Sequence, residues 1–211
     1  LDAGGGTWTD AASDENVAIG HYNMDAECTG AMRNTAIGYW SLSAVTSGGD
    51  NVAVGRNVGN AITTTSNTVL IGNNAGTAIN HTDANGTVAI GQDALKALTG
   101  AGGNVAIGYG SLVDNTTGLY NTAIGYNTMH GNLTGHSNIA IGYGAMDDMD
   151  SGSTAGDSDH NIAIGKHSMH GTWADSKSEQ NVAIGNFTMN AVMDGALKNT
   201  AVGHQALNGL T

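Results

Sequence analysis

Tyr109, Tyr126 and Tyr143 recur at intervals of 17 residues, each directly after a glycine. Rings set so regularly would stack, presenting flat apolar faces with polar tips that suit a sugar; a structural stack covering a turn is the other reading of the same residues. Tyr39-Trp40 and Phe187 fall near the same register. Trp173 lies in a polar stretch, Gly171 to Gln180, where it would be either an exposed contact residue or a cap folded onto a core. Asp147, Asp148, Asp150, Asp157 and Asp159 gather in one stretch. Oxygen-rich loops can hold Ca²⁺, but neither regular ligand spacing nor a closing glutamate is present. A solvated acidic loop is expected, with Asp157 and Asp159 as candidate contacts.

Other chemistries find less support. His130 and His170 sit in matching Met-His-Gly triplets, with His160 and His167 nearby. One histidine per chain on a three-fold axis could bind a metal, but the tight His-x-His pattern is missing, so surface histidines and no metal are expected. Hydrolysis of a glycosidic bond needs two carboxylates at fixed separation beside a groove. Glutamate occurs only at Glu15, Glu27 and Glu179, and the aspartates cluster in loops. No nucleophilic serine motif, phosphate loop or cysteine pair appears, so neither catalysis nor a cofactor is expected. Cys28, the single cysteine, rules out an intrachain disulfide and a thiolate zinc site. It reads as a half-buried spectator thiol or, less simply, a bridge between chains. Thr63-Thr64-Thr65 is not repeated, which argues against an ice-binding threonine array. A net charge of −12 would repel nucleic acid and anionic membranes. With no run of 18 apolar residues, membrane insertion is not expected either.

What positions these residues is a repeat. An Asn-Val-Ala-Ile-Gly pentapeptide, with small variations, closes at Gly20, Gly38, Gly55, Gly72, Gly91, Gly108, Gly125, Gly142, Gly165, Gly185 and Gly203. A period near 17 residues cannot bury its own apolar face and becomes stable only by stacking on its neighbours, as in a solenoid. The expectation is one continuous domain over residues 1–211, a rod of about eleven turns. Proline is absent, which fits a chain whose backbone donors enter ladders.

Within each pentapeptide, apolar residues alternate at period 2, so each is a short strand with two faces. One face carries Ile19, Ile37, Ile107, Ile124, Ile141, Ile164 and Ile184, assigned to the interior. The other carries alanine in ten of eleven copies, Leu70 being the exception. The constancy of Ala106, Ala123 and Ala140 suggests close packing against another copy of the chain, or against a tight bend of the same chain. Asparagine opens nine copies and could form a ladder with its equivalents in adjacent turns. The fourth residue after the glycine is Leu or Met in nine copies, read as a second short strand closing the core. Gly59 and Gly76 break that column in adjacent turns and should mark a thinner or kinked section.

These stacked NVAIG, NTAIG and NIAIG pentapeptides resemble the head repeats of trimeric autotransporter adhesins and the similar arrays of bacteriophage tail fibres. The resemblance runs from Asn16 to Leu207. It implies an all-β, left-handed parallel β-roll assembled side by side as a homotrimer, carried by the strand pairs from Val17 and Ile19 to Thr200 and Val202 and by the turn glycines. The alanine face, read as a contact with another copy, puts Ala106, Ala123 and Ala140 near a neighbouring chain. It also implies a non-enzymatic fibre or adhesin segment, extracellular on a virion or cell surface, that meets a host glycan or protein receptor. A polysaccharide-degrading tailspike is the alternative. The longer repeat, and the lack of a coiled-coil neck and membrane barrel in this sequence, favour the fibre over the autotransporter. The segment reads as a fragment of a longer fibre. Specificity would sit where the period breaks, in the 23- and 20-residue turns ending at Gly165 and Gly185.

Overall fold

Three extended residues and a glycine build every turn. β-Branched residues favour the pleated backbone on either side of the alanine, and the glycine then turns the chain out of it. A computed structural model describes residues 13–149, 158–171, 173, 176–191 and 195–209. The chain forms two compact units, Leu1–Asn104 and Val105–Thr211. In the first lie β1 (Val17–Ile19), β2 (Thr35–Ile37), β3 (Val52–Val54), β4 (Val69–Ile71) and β5 (Val88–Ile90). In the second lie β6 (Val105–Ile107), β7 (Thr122–Ile124), β8 (Ile139–Ile141), β9 (Ile162–Ile164), β10 (Val182–Ile184) and β11 (Thr200–Val202). Each unit is a parallel β-solenoid in which every strand pairs with the next in sequence and in phase, so that Ala106, Ala123 and Ala140 are stacked partners. One short 3-10 turn, Thr82–Ala84, is the only helical element among the described residues.

The corners are made by residues in left-handed conformation. In each turn these are the second and fourth residues after the glycine, as in Asn127 (φ 47°) and Met129 (φ 52°). The residue before the asparagine adopts it too, as in Tyr120 (φ 59°). Such a φ costs a non-glycine residue roughly 1–2 kcal/mol and persists only where the surroundings hold it. At the fourth position they do: Leu112, Met129, Met146 and Met169 are fully buried. Their amides bond to the following turn, Leu112 N to Thr128 O at 3.0 Å and Met129 N to Ala145 O at 3.0 Å. The Leu/Met column is therefore a stack of corners rather than a second strand.

That geometry reverses the assignment of strand faces. Ala106, Ala123 and Ala140 have no exposed surface and point into their own turn, as do Ala36, Ala53, Ala89, Ala163 and Ala183. The isoleucines expected in the core point outward. Ile19 is 57% exposed, Ile141 37% and Ile184 39%; Ile37, Ile107, Ile124 and Ile164 are half-buried. The reason is the width of the coil. The strand faces the Leu/Met corners across so short a distance that only a methyl fits, and small residues beside those corners bond to the strand. Ser111 Oγ donates to Ala123 O at 3.0 Å, and Ser168 Oγ to Ala183 O at 3.1 Å. A further buried column completes the first unit: Val45, Ile62, Ile79 and Leu98.

Leu70 tests this packing from within. It is the one large residue in the alanine column and is fully buried. A Cβ added to Gly59 would lie 2.8 Å from Leu70 Cδ1, and one added to Gly76 would lie 2.9 Å from Leu70 Cδ2. The two glycines in the Leu/Met column are the space that Leu70 fills, so no thinning follows from them. Leu70→Ala should cost about 2–5 kcal/mol in denaturant titrations because it opens a cavity. Adding Gly59→Leu and Gly76→Leu to that variant should recover most of the loss, since Leu42 and Leu95 adopt the same left-handed corner at φ 48° and 49°. Tolerance of Gly59→Leu alone, with Leu70 in place, would disprove the size exchange.

The asparagine ladder forms as expected. Asn138 N and Nδ2 both donate to Asn121 Oδ1, at 2.9 and 3.3 Å. Asn161 does the same to Asn138 Oδ1, at 2.9 and 3.2 Å, and Asn181 to Asn161 Oδ1, at 3.0 and 3.0 Å. Each amide also ties strand to loop, as where Asn138 Nδ2 donates to Ser158 O at 2.8 Å. One side chain thus satisfies buried groups in two turns. In the first unit the ladder runs Asn16–Asn34–Asn51 and ends on Thr68, whose hydroxyl donates to Asn51 Oδ1 at 2.7 Å. At Thr87 the buried hydroxyl finds no partner.

Candidate functional site

Two surfaces stand out on this scaffold. The first is the outward face of the strands. Val17 (45% exposed), Ile139 (37%) and Val202 (67%) join the exposed isoleucines in paired columns of β-branched residues along each unit. Contiguous apolar exposure of this kind marks a contact surface. The sequence pattern located these residues but put them on the inside.

The second surface begins one residue further on. Tyr109 and Tyr126 stack with ring centroids 5.0 Å apart and planes 11° from parallel. Tyr126 and Tyr143 follow at 5.3 Å and 7°. Their registration comes directly from the strand register beside them, because each ring is anchored next to a glycine that is stacked on its neighbour. All three are about half exposed. In the first unit His21, Tyr22, Tyr39 and Trp40 form a related cluster, with Tyr39 and Trp40 centroids 5.1 Å apart.

The other candidates behave differently. Trp173 is fully buried, and its indole Nε1 donates to Met169 O at 3.2 Å. It caps the interior and is not a surface contact; its aromatic bulk serves the turn where the period lengthens. Asp159 is half-buried, and its Oδ1 accepts from His136 N. Its carbonyl accepts from Gln180 N at 3.2 Å, so it holds neighbouring loops in register. Asp157 lies outside the described residues. Cys28 is fully buried rather than half-buried, and burial pushes its thiol up from the ordinary range.

His130, His167 and His170 gather around Asp147. His130 Nδ1 lies 3.5 Å from Asp114 Oδ2, and His170 Nε2 lies 3.7 Å from Asp147 Oδ2. Among the described residues no group of three or more His, Cys, Asp or Glu side chains is arranged to hold a metal ion. Burial raises the Asp147 carboxyl, against the pull of His130 and His170. His167 is held below its usual range, first by burial and then by the charges of His170 and Lys166, with Asp147 opposing. Its buried Nδ1 has no hydrogen-bond partner, so a proton there would lose water and gain nothing.

The consequence is a dependence on pH. A histidine whose folded pKa is depressed stabilises the fold fully above its ordinary value and loses that contribution as pH falls toward the depressed one. Melting temperature should therefore drop as pH falls below about 6.5. His167→Asn, the residue that Asn127 supplies at the same left-handed corner, should flatten that drop. An identical pH profile for the variant would remove His167 as its cause.

No helix of the described residues is long and apolar enough to cross a membrane. Compared with known proteins, the chain matches no family model, no curated protein and no solved structure.

Proposed function

We propose that this chain is a non-enzymatic, extracellular fibre or adhesin segment, carried on a virion or a cell surface and engaged in attachment to a host glycan or protein receptor. The observation that carries the reading is the outward apolar face. Val17, Ile19, Ile139, Ile141, Ile184 and Val202 are each more than a third exposed, although fully burying a side chain of this kind stabilises by about 1.5–3 kcal/mol. A second copy of the same chain offers a matching face, because its columns have the same pitch and composition. Left-handed coils joined side by side as a homotrimer would turn three such faces toward one axis. Trimer contacts then fall to the isoleucines, while Ala106, Ala123 and Ala140 stay within each chain. Three identical weak sites on one axis would raise avidity without a tight single pocket.

Sedimentation equilibrium tests the assembly: three times the chain mass is expected, and a stable monomer at micromolar concentration overturns it. Incubation with surface polysaccharides tests the chemistry. Unchanged polymer is expected, whereas new reducing ends would replace this reading with that of a polysaccharide-degrading tailspike.

A further inference from the structure

Aromatic side chains are scarce here and are concentrated at one place in the repeat. Of the ten in the chain, seven (Tyr22, Tyr39, Trp40, Tyr109, Tyr126, Tyr143 and Phe187) occupy the first or second position after a strand-ending glycine. In the second unit they form an unbroken row from β6 to β11. The Tyr109–Tyr126–Tyr143 stack ends against His167, which meets Tyr143 edge-on at 5.1 Å and 78°. Phe187 lies 5.6 Å from His167, and His204 lies 6.0 Å from Phe187. The Lys166 ammonium sits 5.7 Å from the Tyr143 ring centre and 5.6 Å from that of Phe187.

The spacing selects the occupant. Strands repeat at about 4.8 Å across a sheet, and the tyrosines follow at 5.0 and 5.3 Å. An extended β-1,4-linked pyranose chain advances by nearly that distance per sugar, so each rung would meet one sugar, with successive sugars presenting alternate faces, both of which carry axial C–H groups. An extended peptide rises by about 3.3 Å per residue and would fall out of step at once. Ring centres 5 Å apart do not cover one another fully, since carbon atoms in contact lie about 3.5–4.0 Å apart. Tyr109, Tyr126 and Tyr143 accordingly remain 44%, 46% and 51% exposed. Each offers its outer ring edge, with the part of its face that the stack leaves uncovered, to the C–H patch of a sugar, and a hydroxyl tip to its polar edge. The net charge of −12 disfavours a polyanion, and the Lys166 ammonium within the row disfavours a polycation, which leaves an uncharged polymer.

We propose that this aromatic row is a binding track for an uncharged, linear, extended polysaccharide of the β-1,4-linked type, laid along the track with one sugar per turn. The proposal rests on the reading that the segment contacts a surface, and it names the chemistry contacted.

Calorimetric titration of the intact chain with cellobiose, cellohexaose and maltohexaose tests it. Cellohexaose should bind, cellobiose far more weakly, and the coiled α-linked maltohexaose not measurably. Tyr126→Ala should weaken cellohexaose binding about tenfold with only a small fall in melting temperature, because the ring is half exposed and loses only its two stacking contacts; Tyr126→Phe should retain most of the binding. Tyr143→Ala provides a second variant should the first fold poorly. Equal binding of maltohexaose, or undiminished binding by both alanine variants, overturns the proposal. If no hexaose binds while Tyr126→Ala still reduces attachment to cells that the unsubstituted protein coats, the glycan track falls and the attachment reading stands. If cellohexaose binds but no cell surface does, the track stands and the attachment reading falls.

Discussion

Gly125→Ala will cost the second unit several kcal/mol, enough to lose the folded protein at ambient temperature. Two effects coincide at this residue. Its φ of 143° lies where L side chains rarely go. A Cβ built there falls on the carbonyl oxygen of Gly142, with Thr128 Oγ1 at 2.6 Å and the Gly142 carbonyl carbon at 2.7 Å. Thr128 can rotate its hydroxyl aside, but the Gly142 carbonyl cannot swing away. The carbonyl belongs to the next turn, which stacks on its own successor in the same way, since a Cβ on Gly142 would meet Gly165 O at 2.6 Å. Relief at one step therefore displaces every later step. Gly203 separates the two effects: its φ is 125°, yet nothing lies within 4 Å of its added Cβ. Gly203→Ala should lose only the conformational part, roughly 1–3 kcal/mol. Soluble yield and denaturant midpoints measured side by side would check this. Equal losses at the two positions would mean that φ alone demands glycine and that the close stacking of turns is incidental.

The same stacking explains how much of this molecule could be read from residues alone. Period, strand positions, the asparagine ladder and the tyrosine register all follow from what recurs, and recurrence is visible in a sequence. The orientation of the strand was not. Alternation at period 2 is symmetric to exchange of the two faces, and the larger residue is by habit placed inside. Here the distance to the opposite wall decides, and that distance is set by left-handed corners at residues such as Asn127 and Met129. Nothing in a leucine or methionine announces a positive φ. One signal did exist. Leu70, the only large residue among the alanines, occurs in the same short stretch as Gly59 and Gly76, the two gaps in the Leu/Met column. A gain of volume in one column matched by a loss in the other means that the columns face each other, which places the alanines inside. Trp173 was hidden for a related reason. Its turn has an insertion, and once the insertion is allowed for, the ring falls near the register of the buried Val45, Ile62, Ile79 and Leu98.

A pair of neighbouring substitutions in β7 turns that correction into a large and opposite expectation. Ala123 has no exposed surface and is enclosed by its own coil, with Ser111 bonded to its carbonyl. Ala123→Glu would bury a carboxylate without a partner, at a cost of several kcal/mol even after relaxation, and insoluble or unfolded protein is expected. Ile124, the next residue, faces outward and is half-buried in the single chain. A glutamate there keeps its charge in water, so Ile124→Glu should leave each coil folded, with its far-ultraviolet spectrum intact. If the outward columns join copies of the chain, three such carboxylates would be brought together at one level of the assembly, and the expected product is a folded monomer by sedimentation. A soluble, cooperative Ala123→Glu beside an unfolded Ile124→Glu would return the isoleucines to the interior. Ile124→Glu that folds and keeps its oligomeric state would leave the register intact and move the contact between chains to another face.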